Sequence, residues 1–258
     1  MIHFTSVELN ALVTGFLWPL TRLLGLIATA PVFSNVSIPR RVKVGFGIVL
    51  AMIIAPTVQT PSGLEPMSLQ GLFILMQQMF IGIAMGFSMR LIFSAVELGG
   101  EIASLTMGLG FATFFNPQSQ GRSAAVSQFF SLVTLMVFLA ADVHLALLST
   151  LVDSFSTMPI VATPMSGSLS EQVMHWATRL FSAGLQLSLP IVGALLITNL
   201  ALAILTRAAP QLNLFGIGFP ITLAVGFSMM GLTLPYLATP LTNLFQESLM
   251  TVRQLVGG

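Results

Sequence analysis

The side chains able to do acid–base, nucleophilic or metal chemistry are few in this chain, and badly spaced for it. The three histidines, His3, His144 and His175, are far apart and fit no metal-ligand spacing. There is no cysteine, which removes thiolate metal sites, disulfides and thiol nucleophiles together. Asp142 and His144 stand two residues apart, so on a helix they do not share a face. No glycine loop carries the Lys-Ser/Thr that cradles phosphate, and no serine sits in a nucleophile elbow. The residues offer an enzyme no site, and they imply neither metal nor cofactor.

Three other groupings have suggestive spacing. Arg90, Ser94, Glu97 and Glu101 follow one another in steps of four, three and four, which is one stripe of a helix. One cation and two anions on a stripe suit a polar partner surface or a water-filled path, and equally a helix end in solvent. Gly99-Gly100 is expected to interrupt that helix. Arg40, Arg41 and Lys43 put three positive charges in four residues beside an apolar run, which reads as a cytoplasmic flank or as a solvated loop. The third grouping is GLGFATFFNPQSQG, residues 108–121. Gly108, Gly110 and Gly121 permit backbone angles closed to other residues, and Asn116-Pro117 marks a turn. Among them stand Phe111, Phe114 and Phe115. Non-helical backbone at membrane depth persists only inside protein or along an aqueous cavity. The rings therefore either tuck a hydrophobic loop under the fold or seal a cavity with bulk that offers no hydrogen-bond donor.

The elements that must position these groups are apolar and helical. The chain has 258 residues, 55% of them hydrophobic and 7% charged, against about 25% charged in a soluble domain. A mean hydropathy of +0.95 marks a membrane protein. A net charge of +1 leaves no basic face for nucleic acid. Apolar runs cover 12–32, 42–58, 69–93, 126–151, 185–205 and 212–237, and a span needs about 20 such residues. The last two reach that length cleanly. The others fall short or take in Arg22, Gln77, Gln78, Arg90, Asp142 and His144. A charge at the centre of a span costs about 2.5–3.5 kcal/mol, so these residues are expected to face protein or water. Pro19, Pro31, Pro56, Pro190, Pro220 and Pro235 lie in or at the ends of the runs, which predicts kinked and discontinuous helices. Loops are expected at 34–41, 59–68, 108–121, 157–170 and 207–211. The last of these is short enough to make a helical hairpin, with Arg207 near the carbonyls that close its first helix and Pro210 stopping that helix. With no linker and no repeat, residues 1–258 read as one domain. Ala28-Thr29-Ala30 imitates a signal-peptidase site, but no positive charge precedes the apolar run and Arg22 interrupts it, so cleavage is not expected. Twenty Phe and fifteen Met against two Trp and one Tyr suit a chain packed against other apolar protein more than one ringed by a lipid-boundary aromatic belt.

Residues 185–226 carry a more specific signal. Pro190, Asn199, Arg207, Pro210-Gln211-Leu212-Asn213, Phe215 and Gly218-Phe219-Pro220 resemble the FliR family of flagellar and type III secretion export-gate proteins. Pro31-Val32-Phe33, Ile38-Pro39-Arg40-Arg41-Val42, Gly99-Gly100-Glu101-Ile102 and the phenylalanine segment match the same pattern. The resemblance implies an all-α membrane protein of kinked and discontinuous hairpins, similar to a fusion of FliP-like and FliQ-like units. It implies one copy in a core with FliP and FliQ, adjoined by FlhB and FlhA. That core sits in the bacterial inner membrane at the flagellar basal body and projects to the periplasmic side. Unfolded flagellar proteins cross through it. By position, Phe111, Phe114 and Phe115 become the pore plug, supported by Leu109 and Met107. Gly108, Gly110, Asn116, Pro117 and Gly121 become its hinges. Arg90, Glu97 and Glu101 become a partner contact, and Arg207, Pro210, Gln211 and Asn213 a structural turn. The alternative from another class is a secondary transporter with broken helices and a midplane polar site built from Arg22, Arg90, Glu97 and Glu101. It asks for similarly interrupted segments in two halves of the chain, and none are found.

Overall fold

The computed structural model describes residues 6–58, 65–110, 125–161, 168–209 and 214–257. Among them are seven α-helices and no strand: α1 Ser6–Thr29, α2 Arg40–Ile54, α3 Leu69–Thr106, α4 Ala125–Ala140, α5 Val143–Thr157, α6 Ser168–Ala208 and α7 Leu214–Gly257. A single 3-10 turn, Ala55–Thr57, follows α2. Four of the helices are long and apolar enough to cross a membrane, and α4 with α5 makes a fifth if counted as one broken span. The chain is an all-α membrane protein.

Two expectations about helix boundaries change. Pro19, Pro190 and Pro220, Pro235 and Pro240 lie inside α1, α6 and α7, which run on through them. The run 126–151, continuous in hydropathy, is instead divided at Asp142, the residue before α5, whose φ of 52° is left-handed. A non-glycine residue accepts that region at a cost, and Asp is among the few that do so readily. Ser68 starts α3 in the usual way for a capping serine: its Oγ accepts from the N–H of Gly71 at 3.0 Å.

The chain divides into two compact units. The first comprises Met1–Leu91, Asp142–Ala177 and Phe245–Gly258. Within it, α1 and α3 approach until backbone meets backbone. A Cβ on Gly25 would lie 2.6 Å from the carbonyl oxygen of Met79, one on Gly82 would run into the carbonyl of Arg22, and one on Gly86 into Thr29 and Ala30. Small residues four apart let helices touch in this way. On another side of α1, Leu24 and Ile27 pack on Gly47 of α2, and Phe33 stacks on Phe46 with centroids 5.6 Å apart.

The second unit comprises Ile92–Ala141 and Thr178–Leu244. Its centre is a seam of small residues on α3. Gly99 abuts the Gly184 carbonyl of α6, and Gly184 in turn abuts the backbone of Ala95. Gly100 lies against Ser127 and Phe130 of α4. The glycine pair does not interrupt α3. It removes side chains where neighbouring helices come closest. Leu187 and Ser188 of α6 border one small void together with Leu237 and Leu241 of α7. That register is the one an antiparallel hairpin of α6 and α7 requires.

Candidate functional site

The glycine–phenylalanine segment springs from the end of α3, and that end is fixed by six successive residues. The Leu109 N–H donates to the Ser104 carbonyl at 3.1 Å and the Gly108 N–H to the Leu105 carbonyl at 3.0 Å. Gly108 has φ 87°. This is a Schellman cap with glycine at the left-handed position. Gly110 shows no positive φ. The residue between helix and cap, Met107, is fully buried. Its carbonyl accepts from Thr222 Oγ1 at 3.2 Å, and its side chain lies where a Cβ on Gly226 would stand, 2.6 Å from Cγ and 2.8 Å from Sδ. The missing side chain of α7 thus makes the socket for Met107.

One open apolar groove of about 410 Å³ lies beside the end of α3 and the start of α4. Leu109 lines it where the chain leaves α3, and Ala125 where the chain re-enters α4. Phe129, Phe227, Met230 and Leu234 complete the wall. Phe111, Phe114, Phe115, Asn116, Pro117 and Gly121 lie outside the described residues, as do Pro210, Gln211 and Asn213. Arg207 is exposed in the last turn of α6.

The polar residues of α3 divide by environment. Arg90, Ser94 and Glu97 are exposed and Glu101 is half-buried. Glu97 ties α3 to α4 twice: its carbonyl accepts from Ser127 Oγ at 2.5 Å and its carboxylate from Ser131 Oγ at 3.1 Å.

The feature sequence reasoning did not resolve is Arg22. It is 0% exposed. Its Nε donates to Gln78 Oε1 at 2.7 Å, Nη1 to Ser154 Oγ at 2.8 Å and Nη2 to the Met158 carbonyl at 2.9 Å. The guanidinium carbon sits 4.1 Å from the centroid of Phe155. One side chain of α1 therefore joins α3 and α5 through three neutral oxygens and a ring face, a planar fork that lysine does not supply. A fully enclosed guanidinium is a brace and presents nothing to a substrate. The sequence signal was a cation in an apolar run. Its partners lie 56 to 136 residues away, beyond any local pattern. Among the described residues, no group of three His, Cys, Asp or Glu is arranged to hold a metal ion.

Comparison with known proteins now bears on the whole chain. Residues 13–248 match the family model described as bacterial export proteins, family 1. The flagellar biosynthetic protein FliR of Pectobacterium carotovorum subsp. carotovorum is 42% identical over 248 residues, covering 96% of this chain and 94% of that protein. FliR of Escherichia coli K12 is 41% identical over the same shares, and FliR of Bacillus subtilis 28% identical over 94% of each chain. This is a family of flagellar export components and not a family of enzymes. Matched along nearly its full length, this apolar helical chain belongs to the FliR family of bacterial export proteins.

Proposed function

We propose that the chain, acting as one domain over residues 1–258, is a channel-forming subunit of the flagellar type III protein export gate. It packs with FliP and FliQ in a hetero-oligomeric core, beside FlhB and FlhA, and contributes one copy. The core lies in the bacterial inner membrane at the basal body and projects on the periplasmic side, and unfolded flagellar proteins pass through it.

The observation that carries this reading is a mismatch between helix length and bilayer thickness. From Met174 to Ala208, α6 is 35 residues long, with exposed apolar side chains from Met174 and Phe181 through to Ile204, and 11% of its apolar 18-residue window is buried. At 1.5 Å per residue it measures roughly 52 Å as a straight rod, against a hydrocarbon core of about 30 Å. Lipid alone would cover it only at a tilt of roughly 55°, outside the range of about 0–40° seen for membrane helices. Gly216–Gln254 of α7 is longer, at 39 residues, with 22% of its apolar 18-residue window buried. Leu189, Leu196, Ile197, Leu200 and Ile204 are each more than half exposed. A rod that outruns the membrane needs apolar protein along the remainder, and a heteromeric core supplies it.

Phe111, Phe114 and Phe115 then serve as the seal of the pore, with Gly108, Gly110, Asn116, Pro117 and Gly121 setting how the chain turns into and out of it. The fixed cap at Gly108 and the socketed Met107 give that seal a rigid root, and Leu109 extends it into the groove. Arg90, Glu97 and Glu101 meet partner subunits, and Arg207 with Pro210, Gln211 and Asn213 holds the α6–α7 turn. Apolar rings exclude water and ions without strong bonds that would resist a passing polypeptide.

Gentle extraction of the chain expressed with FliP and FliQ, followed by native mass determination, tests the subunit reading. Co-migration of all three is expected, and a monodisperse species of this chain alone refutes it. In cells carrying the complete gate, the triple substitution of Phe111, Phe114 and Phe115 by Ala is expected to leave assembly intact and lower the resting membrane potential. Unchanged permeability with normal assembly refutes the seal.

A further inference from the structure

The basic start of α2 has no role in the export reading, and its surroundings are unusual. Arg40 and Arg41 are exposed and Lys43 half-exposed, and none of the three side chains has a hydrogen-bond or ion-pair partner among the described residues. They occupy the first turn of the helix, which has no acidic residue and no side-chain cap. Cations there oppose the helix dipole, whose positive end favours anions. The helix thus keeps three charges, unpaired among the described residues, at the end where they weaken it.

The rest of α2 is equally unpartnered. Gly47, Ala51 and Ile54 form its buried stripe, with Gly47 against Leu24 and Ile27 of α1. At 100° per residue, Val42, Val49, Met52 and Ile53 fall on the opposite side. Their exposures are 58%, 56%, 63% and 66%. A helix of 15 residues is about 22 Å long, too short to cross a core of about 30 Å. What remains is a short helix with an apolar outer face and a cluster of cations at its first turn.

We infer that Arg40, Arg41 and Lys43 form a site for the headgroups of anionic phospholipid, with Val42, Val49, Met52 and Ile53 lying along the acyl chains of the same leaflet. At the same 100° per residue Arg41 flanks that face while Arg40 and Lys43 stand on the side of the buried stripe, so the three cations ring the helix end at headgroup level and the tails of the lipids they hold run down the outer face. A soluble anion would leave the apolar face uncovered.

The test uses the full chain with the proteins that co-purify with it. The material is reconstituted in nanodiscs of phosphatidylcholine and phosphatidylglycerol and re-extracted, and the retained lipid is quantified by mass spectrometry. The wild type is expected to retain phosphatidylglycerol preferentially, and rising salt is expected to erode that preference. Each cation near an anionic surface is worth about fivefold, so the combined Arg40→Gln, Arg41→Gln, Lys43→Gln variant is expected to lower the preference on the order of a hundredfold. Arg40→Lys with Arg41→Lys keeps the charge and is expected to keep most of the preference. Arg253→Gln, which removes an exposed cation near the end of α7, is expected to change nothing. A salt-independent preference in the wild type overturns the proposal without recourse to any variant. So does a triple variant that retains phosphatidylglycerol as the wild type does, or an equal loss in Arg253→Gln. A triple variant that keeps its lipid but loses the co-purifying proteins shows that the cations face an acidic protein surface, which also overturns it.

Discussion

Adding one methyl group at Gly184 should drive α3 and α6 apart, and the same methyl nine residues on should not. A Cβ on Gly184 would stand 3.0 Å from the Ala95 carbonyl carbon and 3.2 Å from its Cα, and closer still to the carbonyl oxygen. Ordinary contact between carbon atoms is about 3.5–4.0 Å. All three obstacles are backbone atoms, so no side chain can rotate out of the way, and the helices must separate. Gly193 lies in the same helix, and a Cβ there meets nothing within 4 Å. Both Gly→Ala changes gain the same helix propensity, up to about 1 kcal/mol. The difference between the two variants therefore isolates the clash, and overpacking of this kind costs about 1–3 kcal/mol. For a chain of this size that corresponds to a gap of roughly 3–10 °C in melting temperature. Thermal unfolding of the two variants and the wild type, in one detergent and with the same co-purifying partners, measures it. Gly193→Ala should melt at or slightly above the wild type and Gly184→Ala clearly below Gly193→Ala. Two variants that melt together would falsify the close approach of α3 and α6.

Two further substitutions probe the other fixed points. Gly108→Ala forces a side chain into the left-handed region at φ 87° and should cost about 1–2 kcal/mol, whereas Gly110→Ala meets only the tip of Leu105 and should be nearly neutral; melting curves of the pair check this, and equal losses would deny the cap. Arg22→Ala strands the buried Gln78 Oε1 and the Met158 carbonyl and leaves a void, a loss of about 2–5 kcal/mol, while Arg22→Met fills the volume without the bonds and should lose less. Protein level in the membrane and thermal stability read this out, and a wild-type Arg22→Ala would remove the brace.

The helices were legible because burial in lipid or protein demands long apolar runs, and the breaks that glycine dictates were legible in part. Gly108 closes α3 where the composition of 108–121 announces it. Gly99-Gly100 carries the same residue type to the opposite effect, since a glycine inside a helix that other helices approach is a gap for a neighbour and not a stop. The local sequence is identical in kind, and the difference lies in Gly184 and Ser127, distant in the chain. The start of α6 at Ser168, well before the apolar run at 185, was hidden by Glu171, Gln172, His175 and Arg179, which lower hydropathy without opposing helix. The division at Asp142 was hidden for the converse reason: hydropathy stays high across a residue whose backbone turns left-handed. Arg22 was visible as an anomaly and unintelligible until Gln78, Ser154 and Met158 were placed beside it.

The length of α6 and α7 also bears on when and how often this chain is made. Even tilted by 40°, a straight α6 stands about 10 Å proud of the hydrocarbon, and a straight α7 about 15 Å. A copy synthesised with no companion waiting leaves side chains such as Met174 and Phe181 of α6 and Met250 of α7 exposed beyond the lipid, and apolar surface in water sticks to its like or attracts proteases. If the proposed core is what covers that surface, the number of surviving copies is set by vacancies in it and not by the rate of translation. Surplus is discarded by the same surface that a place in the assembly would have covered.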